Sequence, residues 1–313
     1  MTAKTGAKSV HQVLDTLQYV RQFAGQTVLV KLGGAALQDV GLVESLCADF
    51  ALARSVGVSV VLVHGGGPAI NEELTAHGIT WEFIEGQRVT TPEMMGVVEM
   101  VLCGQVNRRI VRTLNRAGVL AVGVSGADAN MLRCRQADAR LGRVGKIERV
   151  NIDYVQMLLH SQERPGTGYI PVIAPVGVGE DGEAFNINAD WAASKLAVAL
   201  GIGRIVYLTD QDGILDGDKR VISELDAGGL TQLIETGVVQ GGMLAKARTM
   251  IDALTHGVNA IHVLNGRRPH ALIEELFTDR GVGTVCRSRA RETRPRENDN
   301  DDADDALAAS AHR

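Results

Sequence analysis

"TVLVKLGG" (residues 27–34) and "SVVLVHGGGP" (residues 59–68) are two short apolar runs, each of which ends in a cluster of glycines. Unbroken aliphatic runs of this length match strands buried on both faces. Between them, "LVESLCADFALARSVG" (42–57) reads as a helix closed by Gly57. After them, "PAINEELTAHG" (68–78) reads as another, with Pro68 in its first turn and Gly78 at its end. Strand, helix, strand, helix predicts parallel pairing through right-handed crossovers, so the chain falls in the α/β class.

The rhythm continues outward. A long helix (92–118) leads to the strand "LAVGVS" (120–125), and residues 127–151 lose the alternation as a hairpin excursion would. A helix at 152–162 and the strand "YIPVIAPV" (169–176) follow. Helices at 189–201 and 246–257 then alternate with strands at 204–210 and 260–265. There is no exact repeat and no flexible linker, so one continuous sheet with two lobes is expected. Upstream, Val13, Leu17, Val20 and Phe23 recur at helical spacing within residues 9–24. From Arg287 onward the chain is polar, first basic and then acidic, and is expected to be disordered.

Composition narrows the function. The 313 residues carry a formal net charge of -5 and only 4% aromatics, without the basic, aromatic-interleaved stripe of a nucleic-acid binder. No run is apolar enough to cross a bilayer and the first residues lack a signal peptide's apolar centre, so a cytoplasmic protein is expected. Cys47, Cys103, Cys134 and Cys286 are scattered without metal-ligand or disulfide spacing, and buried free thiols are expected.

A strand that stops in glycines before a helix presents backbone N–H groups unobstructed by Cβ atoms, where the helix terminus is already positive. Either glycine loop alone could be no more than a tight turn. Together, Gly33 and Gly34 with Gly65, Gly66 and Gly67 make two anion cradles, which point to two anionic ligands or the two ends of one reaction. Lys31 precedes one cradle, and Lys246 follows Gly241 and Gly242; each is also readable as an ordinary surface lysine. In "FNINADWAA", Asn186, Asn188 and Asp190 alternate, so an extended backbone would aim all three one way, although Asp190 could instead cap the next helix. Arg88, in the loop "GQRVTT", has the fork to grip a carboxylate. No Walker A sequence occurs, and the one GxGxxG match (177–182) opens no helix.

"VKLGG", "VHGGGP", "GQRVTTPE", "VSG", "NINAD", "LTDQDGIL" and "GGMLAKA", in this order and at these separations, resemble the N-acetyl-L-glutamate kinases of the amino acid kinase family over about residues 10–287. The resemblance implies a three-layer αβα sandwich around a mostly parallel sheet. It divides the chain into an N-terminal oligomerisation helix (1–24), a kinase domain (25–287) and a disordered tail (288–313). Within the domain, an acyl-amino-acid lobe (25–180) would precede a nucleotide lobe (181–287). It implies transfer of the γ-phosphoryl of ATP, with Mg²⁺, to a side-chain carboxylate.

Lys31 and Lys246 would then stabilise the migrating group, and Asp190 would hold both lysines. Gly33, Gly34 and Gly66 would donate N–H bonds to that group or to the attacking carboxylate. Arg88 and Asn186 would bind the substrate's α-carboxylate, beside Gly66, Gly67 and Asn188. Thr209, Asp210, Gly213, Ile214, Leu215, Gly242 and Met243 would wrap the nucleotide. Tyr19, His262, Glu275 and Gly281 match an arginine-effector segment of the hexameric, arginine-inhibited branch. No metal site within the protein is implied. Ala35, Ala127, Gln211 and Ala245 depart from residues common in the family, and of these Ala127 and Gln211 bear on the nucleotide contacts.

Rival readings stay open. Kinases of aminoadipate derivatives, glutamate or aspartate would share the fold. An esterase would use "HGGG" as an oxyanion hole, but the nearest GxSxG candidate, residues 123–127, ends in Ala127. A noncatalytic amino-acid sensor would not need both lysines.

Overall fold

The computed structural model describes residues 20–34, 37, 39–160, 168–278 and 281–288. Fourteen strands among them are β1 (Thr27–Leu32), β2 (Ser59–His64), β3 (Phe83–Ile84), β4 (Gln87–Arg88), β5 (Ala121–Ser125), β6 (Leu132–Gln136), β7 (Gly145–Val150), β8 (Ile170–Ala174), β9 (Val176–Val178), β10 (Ala184–Asn186), β11 (Arg204–Thr209), β12 (Glu224–Asp226), β13 (Ala260–Asn265) and β14 (Thr284–Arg287). The main sheet has eight strands in the order β12-β14-β13-β11-β1-β2-β8-β5. The six from β13 to β5 are mutually parallel; β14 runs antiparallel to β13, with β12 parallel to it at the edge.

The two opening runs are neighbours in register, Lys31 beside Val63 and Leu32 beside His64. On its other side Lys31 pairs with Tyr207 of β11. The chain leaves β1 toward β2 and later returns to its opposite flank at β11. The carboxyl ends of β1, β2 and β11 therefore meet at a topological switch point, where open α/β sheets bind ligands.

Side-chain alternation divides the core into two layers. Val28, Val30 and Leu32 face one way with Val60, Leu62, Val206 and Leu208, under the helices Val40–Ser55, Gly67–Ala76 and Ala271–Phe277. Leu29, Val61, Val63, Ile205 and Tyr207 face the other, under the helices Ala189–Ala199 and Gly241–Thr255. Helix, sheet, helix is the three-layer α/β arrangement expected.

Some local expectations are revised. The long helix is helical throughout, but Met100–Val106 winds as a π-helix between the α-helices Pro92–Glu99 and Asn107–Arg116. "YIPVIAPV" is two strands, β8 in the main sheet and β9 in a second sheet of order β10-β9-β6-β7 built on the β6–β7 hairpin. Arg88 lies in the ribbon β3–β4, where a loop was expected. Residues 20–23 are helical; the rest of the N-terminal helix, Tyr19 included, and all but Ser288 of the tail lie outside the described residues, as does Ala35. Cys47, Cys134 and Cys286 are buried free thiols, and Cys103 is half-buried; burial pushes all four up to about 12.

Candidate active site

Lys31 rises from β1, Lys246 from the helix Gly241–Thr255, and Asp190 from the first turn of the helix Ala189–Ala199. The carboxylate bridges both ammonium groups: Lys31 Nζ is 2.7 Å from Oδ1 and Lys246 Nζ donates to Oδ2 at 3.0 Å. All three residues are only 8% exposed. Burial alone would raise the Asp190 carboxyl, yet the charges of Lys31 and Lys246 outweigh it and hold it at about 2. Lys246 is pulled below the usual lysine range by burial and by Lys31, with Asp190 opposing. Its Nζ also stands 5.4 Å from the centroid of the Tyr207 ring. Two cations against one anion leave a buried unit of positive charge, which a dry site tolerates only with an anionic partner.

Asp190 is free for this because Asn188 caps the helix, its Oδ1 accepting from the backbone N–H of Asp190 at 2.8 Å and of Trp191 at 3.3 Å. The extended run ends at Asn186 in β10 and the chain turns helical after Asn188, so the three side chains converge through a strand end, a cap and a first turn.

Two clefts meet at this bridge. One of about 740 Å³ contains Lys246, Thr209, Asp210, Gly213, Gly242 and Met243; the other, about 290 Å³, contains Gly66, Gly67, Arg88, Asn186, Asn188 and Asp190. Lys31 and Gly34 line both. Leu215 and Gly33 also border the larger cleft. Ile214, expected there, is fully buried and its backbone N–H donates to Thr284 Oγ1 at 2.8 Å, so it supports the loop from beneath. Gly33 was expected to donate to the phosphoryl group. Its N–H is committed to Leu208 O at 2.9 Å, and its role is to stay small, since a Cβ there would stand 3.0 Å from that same oxygen.

The N–H groups of Gly34, Gly66 and Gly67 have no protein acceptor among the described residues. The Gly66 and Gly67 nitrogens lie close to Gly34, for a Cβ on Gly34 would stand 3.2 Å from Gly67 N and 3.4 Å from Gly66 N. Arg88 is buried, donates from Nη2 to Asn71 Oδ1 at 2.5 Å, and keeps Nη1 without a partner. Its guanidinium lies 4.8 Å from the Phe83 ring centroid. Asn186 Nδ2 donates to Thr90 Oγ1 at 3.1 Å. Asn71, Phe83, Tyr207 and Gln240 border or brace the clefts and were not singled out in the sequence; only Tyr207, the register partner of Lys31, had a signal that strand pairing would have supplied.

His262 and Glu275 also meet, Nδ1 to Oε1 at 2.6 Å, and Glu275 Oε2 accepts from the backbone N–H of Val282, next to Gly281, at 2.8 Å. This pair lies apart from the two clefts, beyond both sets of lining residues. Among the described residues no three His, Cys, Asp or Glu side chains cluster as a metal cage, and no helix is long and apolar enough to cross a membrane.

Two clefts joined at a buried lysine pair suit a small-molecule phosphotransferase, and the chain belongs to the amino acid kinase family, whose model matches residues 26–265. Its relatives include acetylglutamate kinase of Geobacter metallireducens, 42% identical over 90% of this chain and 98% of that protein. Acetylglutamate kinase of Clostridioides difficile is 42% identical over 90% of this chain and 97% of its own. Among solved structures, N-acetylglutamate synthase of Neisseria gonorrhoeae, complexed with coenzyme A and N-acetyl-glutamate, is 27% identical with a TM-score of 0.79 over 90% of this chain and 64% of that one. Carbamate kinase of Giardia lamblia bound to AMP-PNP shares the fold, at 17% identity and a TM-score of 0.60 over 84% of this chain and 99% of its own.

Proposed function

We propose that the protein transfers the γ-phosphoryl group of ATP to the side-chain carboxylate of N-acetyl-L-glutamate, giving N-acetyl-L-glutamyl 5-phosphate in the second step of arginine biosynthesis. The observation that carries this reading is the Lys31–Asp190–Lys246 bridge at the wall shared by the two clefts. Phosphoryl transfer between two anions needs alignment and screening of repulsion more than covalent help. Lys31, common to both clefts, neutralises charge on donor and acceptor oxygens together, Lys246 does so from the nucleotide side, and Asp190 fixes both against their mutual repulsion. Gly34 and Gly66 donate N–H bonds where charge builds up, and the free Nη1 of Arg88 takes the substrate's α-carboxylate beside Asn186, Asn188 and Gly67. The 25–180 and 181–287 stretches serve as the acyl-amino-acid and nucleotide lobes.

A magnesium ion fits this donor set as a passenger on the nucleotide. Asp190 is committed to two lysines, so a magnesium ion would be carried by the phosphates of the nucleotide and would screen their charge. ATP-dependent hydroxamate formation, with N-acetylglutamate tested beside glutamate, aspartate and aminoadipate, decides the acceptor. Faster turnover with any of the other three overturns the assignment.

A cytoplasmic hexamer, a trimer of dimers inhibited by arginine, completes the reading. Its support is the buried His262–Glu275 pair, with Gly281 beside it and with the end of the N-terminal helix close by. Phe23 stacks edge-on against Phe277 at 5.5 Å, on the helix that carries Glu275, and Arg204 lies 4.3 Å over the Phe23 ring.

A further inference from the structure

We infer that His64 and Asn107 are positioning residues that hold the Gly65–Gly66 peptide with its N–H turned toward the anion cradle, an inference that rests on the kinase reading above. His64 closes β2, is fully buried and touches neither cleft. Its ring makes two contacts, Nδ1 to Gly65 O at 3.0 Å and Nε2 to Asn107 Nδ2 at 3.2 Å. The partner fixes the protons. Asn107 Nδ2 also donates to Val172 O at 2.8 Å, so it is the amide nitrogen and Nε2 must be the acceptor. A neutral imidazole then has its one N–H on Nδ1, aimed at the Gly65 carbonyl. Burial lowers the ring to about 4, against a smaller opposing effect of the Gly65 contact, and keeps it neutral.

The peptide plane does the rest. No described peptide is cis, so the Gly66 N–H points opposite to the Gly65 carbonyl. With that oxygen drawn to the ring, the N–H is turned away from the ring, and its nitrogen lies on the Gly34 side of the loop, 3.4 Å from where a Cβ on Gly34 would stand. Glycines on both sides would otherwise let the peptide turn over and present a carbonyl to the incoming anion. Asn107 is the first residue after the π-helix Met100–Val106, a feature found often at functional sites. That segment also braces the loop, since a Cβ on Gly66 would meet Leu102 Cδ2 at 2.6 Å. On the other side, Gly123 of β5 leaves the room that the Asn107 amide occupies.

The test combines ring spectroscopy with kinetics on the full chain. Nitrogen-15 NMR of the histidine-labelled protein near neutral pH, with His64 assigned by its loss in His64→Asn, should show a neutral ring protonated on Nδ1; protonation on Nε2 or on both nitrogens overturns the inference. His64→Leu and Asn107→Leu should each lower kcat about 10- to 100-fold, as loss of alignment does, while the KM for ATP stays put. His64→Asn, whose amide N–H stands where Nδ1–H stood, should recover most of that loss. Unchanged kcat in both leucine variants, or an asparagine variant no better than the leucine one, overturns it. If His64→Leu fails to fold, Asn107→Leu and the ring measurement still decide. Failure of the kinase reading looks different: the wild type itself turns over none of the four acids, and the protonation state of His64 then settles this inference alone.

Discussion

Asp190 joins the two lysines, so substitutions at the three positions should differ in kind. Lys31→Ala and Lys246→Ala each remove a charge that matters most when the phosphoryl group is in flight, and kcat should fall about 10²- to 10³-fold, or about 3–4 kcal/mol, with a smaller change in ATP affinity. Nucleotide titration beside steady-state kinetics separates the two effects. Asp190→Asn leaves two buried ammonium groups facing each other and should lower stability at neutral pH. Because the folded carboxyl lies at about 2, below its ordinary 3.8, the wild type gains stability from it above that ordinary value and loses the gain as pH falls between them. Thermal melts over that acid range should fall more steeply for the wild type than for Asp190→Asn. Lys31 was picked out by its place before a glycine-rich strand end, Lys246 by the glycines ahead of its helix, and Asp190 by its alternation with Asn186 and Asn188. Arg88 was singled out as a fork suited to a carboxylate, but its orphaned Nη1 and its Asn71 and Phe83 neighbours were not legible, because the β3–β4 ribbon that assembles them is two residues per strand and carries no periodicity.

Among elements, the helix Ala189–Ala199 joins stability to the site through its cap. Asn188→Ala should cost about 1 kcal/mol in denaturant unfolding and raise the KM for the acylated amino acid, whereas Asn188→Ser should keep most of the stability. Gly34→Ala puts a methyl group 3.2 Å and 3.4 Å from the Gly67 and Gly66 nitrogens and against Pro68 Cδ at 2.8 Å, so kcat should drop by about 10² or more, as when an oxyanion donor is lost. The "NINAD" alternation picked out three residues that border one cleft, but a strand end and a helical turn bring them there instead of a continuous extended chain. The parallel strands were legible because burial on both faces makes them aliphatic throughout. β12 and β14 were not, being only three and four residues long, too short to carry a periodic signal, with β12 at the edge of the sheet. The π-helix was likewise invisible, for its 3.6-period apolar face reads through it unchanged.

For the whole molecule, regulation should be read at the junction of the N-terminal helix with the helix Ala271–Phe277. Sigmoidal inhibition by arginine is expected of the full chain. It should vanish when residues 1–19 are deleted, a cut that spares the Phe23–Phe277 contact; full sensitivity in the truncated protein removes the helix from the effect. Sedimentation of the same pair should show the larger assembly lost with the deletion. A last consequence follows from Lys31 and Gly34 lining both clefts. The two chambers adjoin at these residues, so a single compound tethering adenosine through its phosphate chain to the acylated dicarboxylate would pass from one into the other beside Lys31 and Gly34. Such a hybrid inhibitor gains the advantage of tethering, and its affinity should exceed that of either half by orders of magnitude, about 10²-fold or more.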